Sequence, residues 1–144
     1  MVKRGSTRRM ANEYALDAHA LVWFLEGNPR LGANARAAMQ DPTSVLYLPV
    51  IALAEACWVI ERGRTSIPSV ASFLNDIDAD PRIVLVPLDR AILDLSLSLT
   101  LINEMHDRQI TSTALHLAAQ KGSSVLLLTC DRDITASGLV PITW

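Results

Sequence analysis

The sequence predicts an α/β protein built on a mostly parallel sheet with helices over both faces. Two observations carry this. Short β-type runs are separated by helical segments, in the order β-α-α-β-α-α-β-α-α-β-β, and strands separated by helices make βαβ units with a parallel sheet. SVLLLT (124–129) is also apolar without alternation, as expected of a strand covered on both sides. A third observation sets the scale. The chain has 144 residues, half of them hydrophobic, which suits one domain with a sizeable core.

The elements follow in order. YALDA (14–18) reads as a short strand that runs into the helical HALVWFLE, which Gly27, Asn28 and Pro29 break. GANARAAMQ (32–40) is helix-like and stops at Asp41-Pro42. SVLYL (44–48) is a strand, and Pro49 suits the beginning of the helix VIALAEACWVIER (50–62). That helix closes at Gly63; IPSVASFLNDID (67–78) is the next, followed by the strand RIVLV (82–86). LDRAILDLSLSLTLINE (88–104) is read as one helix starting near Asp89, and DRQITSTALHLAAQKG (107–122) as another ending at Gly122. After SVLLLT, VPITW (140–144) is a short last strand.

Residues 1–12 read as a flexible basic tail before a single domain of residues 13–144, and Met10 is an alternative start. The tail holds Lys3, Arg4, Arg8 and Arg9. The remaining nine basic residues face all fifteen acids, a net −6. A body that acidic is a poor non-specific binder of nucleic acid. If it handles a polyanion, a divalent cation is the simplest local neutraliser. No apolar run approaches the ~18 residues of a membrane span. The N-terminus lacks the apolar core of a secretion signal. Cys57 and Cys130 each sit in apolar runs and read as buried thiols of a cytoplasmic protein.

Four acids stand in apolar surroundings. Asp17 follows a strand and heads a helix, where it suits an N-cap. Glu55 is the only charge in the eleven residues VIALAEACWVI. A helix of that composition is expected to be buried nearly all round, and a buried carboxylate needs a partner, a metal or a raised pKa. The competing reading puts Glu55 at the helix's exposed edge. Asp107 precedes the stripe Ile110, Ala114, Leu117, Ala118, and caps that helix, pairs with Arg108, or does chemistry. Asp131 follows the buried strand, with Asp133 two residues on, and turn formation or capping would also explain them. In a parallel sheet the strand C-termini share one edge, and ligands bind outside it. Asp17 and Asp131 arrive there, and Glu55 lies in the first half of its helix. Clustered carboxylates repel unless they hold a hard cation such as Mg²⁺ or Mn²⁺. No phosphate-cradling GxxxxGK[ST] or GxGxxG pattern is present.

The ordered segments LDAHALVWFL, ALAEACWVI, MHDRQITSTAL and LLLTCDRDI resemble the PIN domain, and more narrowly the VapC-type toxin ribonucleases of type II toxin–antitoxin systems. The resemblance covers about residues 14–144. It implies a three-layer α/β/α sandwich around a five-stranded parallel sheet, and a Mg²⁺- or Mn²⁺-dependent endoribonuclease that hydrolyses RNA phosphodiesters with metal-activated water. Carried over by residue, Asp17, Glu55, Asp107 and Asp131 match the family's metal-binding acids. Asp133 either contributes through water or lies beside the site. Thr129 matches a small hydroxyl residue that orients a carboxylate or water. The resemblance also implies a cognate antitoxin partner, and a homodimer formed through the helices near residues 32–62. The basic tail departs from the usual pattern, in which the first aspartate comes within the first several residues.

Arg62, Arg64 and Arg108 are candidate contacts to RNA or to an antitoxin, and Arg30 and Arg132 are further ones. His19 and His116 read as structural, His106 as a surface residue. Trp23, Trp58 and Trp144 read as core or interface residues, with base stacking as the alternative for one of them. Two other functions remain open. A metal-dependent phosphatase of the haloacid-dehalogenase-like kind wants D-x-D after the first strand, where this chain has Asp17-Ala18-His19. A non-catalytic module that binds RNA or an antitoxin would not need the full acid set.

Overall fold

The computed structural model describes residues 12–144, so the expected basic tail falls outside the described residues except for Asn12. Five strands form one sheet: β1 (Glu13–Leu16), β2 (Val45–Pro49), β3 (Ile83–Val86), β4 (Leu126–Leu128) and β5 (Ile142–Thr143). Their spatial order is β3-β2-β1-β4-β5 and every neighbouring pair is parallel. The expected α/β class and parallel sheet are therefore observed. Consecutive residues point to opposite faces of a strand. Ala15 and Leu16 in β1, Leu46, Tyr47 and Leu48 in β2, and Leu127 and Leu128 in β4 are all buried, so helices cover both faces.

The helices are α1 (Ala18–Glu26), α2 (Ala33–Gln40), α3 (Val50–Glu61), α4 (Val70–Ala79), α5 (Arg90–Leu97), α6 (Met105–Lys121) and α7 (Arg132–Ser137). Their starts follow capping chemistry. Asp17, Ser69, Asp89, Glu104 and Asp131 each accept a hydrogen bond from a first-turn backbone N–H. The α2 helix begins at Gly32, which has no capping side chain. The Trp144 carbonyl fills the role, accepting from the Asn34 and Ala35 N–H groups at 3.0 Å each. A Cβ on Gly32 would lie 2.2 Å from that carbonyl oxygen, so only glycine admits this approach. Arg82 ties the start of β3 to the end of α2. Its guanidinium donates to the Met39 and Asp41 carbonyls and pairs with Asp80 at 2.9 Å.

Four expectations need correction. The segment 88–104 is not one helix: α5 ends at Leu97, and Ser96 and Ser98 turn their hydroxyls onto the Leu93 and Leu95 carbonyls. Such hydroxyls compete with the helical ladder. The following turn tucks Ile102 into the core, and α6 starts at Met105, earlier than expected. Secondly, a helix, α7, lies between the last two strands. A parallel neighbour of β4 needs a crossover, and α7 supplies it. Thirdly, α3 is not buried all round: only Ala52, Ala56 and Ile60 are fully enclosed, and Trp58 is 49% exposed. Fourthly, the thiols are not buried. Cys57 is intermediate, and Cys130 is exposed because β4 ends two residues before it.

Candidate metal centre

The sheet order places the site. The chain steps from β1 outward to β2 and β3, then returns to the other side of β1 with β4. The C-terminal ends of β1 and β4 therefore flank the point where the strand order reverses, which is where open α/β sheets leave a crevice. Asp17 follows β1 directly, and Thr129, Cys130 and Asp131 follow β4. The Asp17 N–H donates to the Leu128 carbonyl at 3.3 Å, continuing the β1–β4 pairing into the site.

A cleft of about 580 Å³ opens at this point. Asp17, Glu55, Asp107 and Asp131 all line it, from four separate segments of the chain. Asp17 is the deepest, 8% exposed. One of its oxygens accepts from the Ala20 N–H at 3.1 Å and the other from the Thr129 hydroxyl. The same hydroxyl accepts the Asp131 N–H at 3.1 Å. Thr129, wholly buried, thus ties the two strand-end aspartates together. Asp131 also caps α7, accepting the Ile134 N–H at 2.9 Å. Capping uses only part of a carboxylate's four acceptor positions, so Asp17 and Asp131 keep acceptor positions free after capping.

Asp107 is not the N-cap of its helix. Glu104 takes that role, accepting the Asp107 N–H at 2.9 Å, and Asp107 sits within the first turn, lining the cleft. The helix enters the protein at that point. Ile110, Ala114 and Leu117 are buried as the spacing predicts, but so are Gln109, Thr111, Ser112 and Thr113. Ser112 and Thr113 satisfy their hydroxyls on the Gln109 carbonyl.

Glu104 is the residue that sequence reasoning missed. The sequence places it at the end of a helix over 88–104, and only the break at Leu97 frees it to cap α6. Glu55, Glu104 and His106 bring ligand atoms within 4.8 Å of one another, a tighter group than the four acids of the wider cleft. His106 Nδ1 lies 3.1 Å from Glu104 and 3.5 Å from Glu55. The only sequence signal was the sequence Glu104-x-His106-Asp107 just ahead of a helix.

The electrostatics fit a cation. Burial pushes the Asp17 carboxyl pKa up, against the hydrogen bonds from Thr129 and Ala20. Burial likewise raises Glu55, reinforced by Glu104 and Asp17 and opposed by His106. Asp107 is pushed up to about 7, first by burial and then by Asp131, Glu104, Glu55 and Asp17. Acids that repel one another in a common cleft, with oxygen donors to spare, match the donor chemistry of Mg²⁺ or Mn²⁺.

Other expected residues lie elsewhere. Asp133 is exposed on the first turn of α7 and does not line the cleft. The Arg108 guanidinium donates to the Ile102 carbonyl, bracing the turn before α6 instead of facing the cleft. Arg64 and Arg30 do line the cleft, whereas Arg62 stacks on Trp58. His19 lines the cleft and packs its ring on Trp23. Among the described residues no helix is long and apolar enough to cross a membrane.

No curated protein matches the chain. The sequence pattern of the PIN domain matches residues 14–137, from β1 through α7, and takes in all four cleft acids. PIN domains are in general metal-dependent nucleases, and the group Glu55, Glu104 and His106 is compatible with a divalent cation. With a match over most of its length and five parallel strands bringing acids to one edge, this chain belongs to the PIN domain family.

Proposed function

We propose that the protein is a Mg²⁺- or Mn²⁺-dependent endoribonuclease, the toxin of a type II toxin–antitoxin pair. One observation supports it above the others: Asp17, Glu55, Asp107 and Asp131 come from four segments to line one cleft at the sheet's switch point. In this reading those four acids hold the cation, and Glu104 and His106 border it. A bound divalent cation there would supply an activated water and offset charge on the phosphoryl oxygens. The chain's own residues do the positioning. Thr129 fixes Asp17 relative to Asp131, and the α6 cap at Glu104 sets the depth of Asp107. Arg64 and Arg30, on the cleft wall, face the RNA phosphates. Water attack leaves 5′-phosphate and 3′-hydroxyl ends, since the RNA 2′-hydroxyl is not the nucleophile.

The toxin role, the antitoxin, a homodimer and the cytoplasmic setting rest on the resemblance of the four motifs to the VapC-type proteins. The test is cleavage of a mixed pool of structured RNAs with Mg²⁺, Mn²⁺ or EDTA, beside Asp107→Asn, with the new ends mapped. Metal-dependent cuts bearing 5′-phosphates, absent in the variant, are expected. Cleavage that survives EDTA or Asp107→Asn would refute the assignment.

A further inference from the structure

A second, mostly apolar groove of about 430 Å³ lies on α3, lined by Ile51, Ala54, Glu55, Trp58, Val59 and His106. It exists because α3 is apolar beyond what the core encloses. Glu55 and Val59 line both this groove and the acid cleft, so the two adjoin. Trp58 stands one turn after Glu55, half exposed, with its ring part of the groove wall. Its ring is also stacked by a cation: the Arg62 guanidinium carbon lies 3.6 Å from the ring centre. Arg64 lies 5.9 Å from the same ring and also lines the acid cleft.

We infer that Trp58, backed by Arg62, is a stacking platform for one unpaired base of the RNA whose phosphate lies in the acid cleft. This rests on the nuclease reading above. Arg64, near the ring and on the cleft wall, links an occupant of the groove to an occupant of the cleft. An aromatic ring with an arginine against it stacks any base by its π-face. Arg64 bridges the two spaces and complements a phosphate between them. Two arginines meet at the ring, a pair that complements a phosphate, while the acid in the groove, Glu55, belongs also to the cleft that would hold the cation. The base beside the cut must leave any duplex to reach the ring, so the substrate is single-stranded at this point.

The test measures binding in an Asp107→Asn background with Mg²⁺, which lowers the cleft's charge and is expected to prevent cutting. Fluorescein-labelled oligomers of twelve adenylates, twelve uridylates and twelve abasic ribose phosphates are titrated with the full chain. Adding Trp58→Ala is expected to weaken the adenylate oligomer about tenfold or more. The uridylate oligomer weakens less, and the abasic oligomer does not change. Trp58→Phe keeps most of the affinity, and thermal melting reports an intact fold because Trp58 is half exposed. Unchanged adenylate binding, or an equal loss for the abasic oligomer, would overturn the stacking subsite. So would a Trp58→Ala protein that keeps its RNA affinity but loses a protein partner, since the groove would then be a protein-docking surface. Metal-dependent cutting by the parent chain with Trp58→Ala unaffected removes the subsite alone. A parent chain that neither cuts RNA with Mn²⁺ nor binds these oligomers removes the nuclease reading and the subsite together.

Discussion

Replacing Asp107 by Asn removes one charge from the cleft and leaves its volume almost unchanged. In the metal-free protein the Asp107 pKa is pushed from 3.8 to about 7, by burial first and by the neighbouring carboxylates next. A carboxyl whose pKa is raised on folding contributes stability that is fully present below its unfolded value. That stability is lost as pH rises through the folded value. The window is therefore about pH 4 to 7. At about 1.4 kcal/mol per unit the shift sets a ceiling of roughly 4 kcal/mol. Asp107 is only half buried, and solvent screening reduces this to about 1–2 kcal/mol. In EDTA above pH 7, Asp107→Asn should therefore be the more stable protein by about 1–2 kcal/mol, or about 3–6 °C in Tm for a chain of this size. The advantage should shrink toward zero near pH 4. Thermal melts of both proteins across pH 4 to 8, in EDTA and in Mn²⁺, measure this. Saturating Mn²⁺ should reverse the order at pH 8, because ligation stabilises the intact site by mass action. A difference in Tm that does not change with pH, or a variant destabilised at pH 8 in EDTA, would refute the picture of repelling acids.

Three other outcomes follow from particular contacts. Thr129→Val removes the hydroxyl joining Asp17 to the Asp131 N–H. It should cost about 1–3 kcal/mol in urea unfolding by leaving buried groups unpaired, while Thr129→Ser costs less. The same change should weaken Mn²⁺ binding by about tenfold or more, read by calorimetric titration, because Thr129 orients the Asp17 carboxylate of the proposed metal centre. Gly32→Ala forces a Cβ against the Trp144 carbonyl. It should cost about 1–3 kcal/mol of stability with the acid cleft unaltered, seen as a lower urea midpoint and unchanged Mn²⁺ affinity. Arg82→Ala leaves the Met39 and Asp41 carbonyls without their donor. It should lower stability by about 2 kcal/mol while RNA cleavage at permissive temperature stays at the parental rate.

Much of the architecture is legible in the one-dimensional pattern. The alternation of apolar runs with helical segments implies parallel strands, because parallel neighbours need crossovers. Asp17 is legible because it sits where a strand gives way to a helix. Glu55 is legible because the single charge among eleven otherwise apolar residues has a desolvation cost that an ordinary surface acid does not. Asp131 follows from the end of a continuous apolar strand. Each of these signals is local.

What the sequence could not specify depends on distance in three dimensions. Only the order β3-β2-β1-β4-β5 makes β1 and β4 neighbours and brings Asp17 beside Thr129 and Asp131, residues more than a hundred positions apart. The break at Leu97 depends on serine hydroxyls outcompeting the helix and on Ile102 finding the core, and it alone turns Glu104 into a cap beside Glu55 and His106. Asp133 and Arg108 have the right types and nearly the right positions. The turn of α7 and the Ile102 carbonyl direct them away from the cleft. The exposed face of α3 was likewise hidden, since apolar composition states what a helix prefers to bury and not how much of it the neighbouring elements cover. Residue type and spacing therefore determined which groups this chain has for chemistry; packing decided which of them meet, because a carboxylate's role depends on the charges and donors within a few ångströms of it.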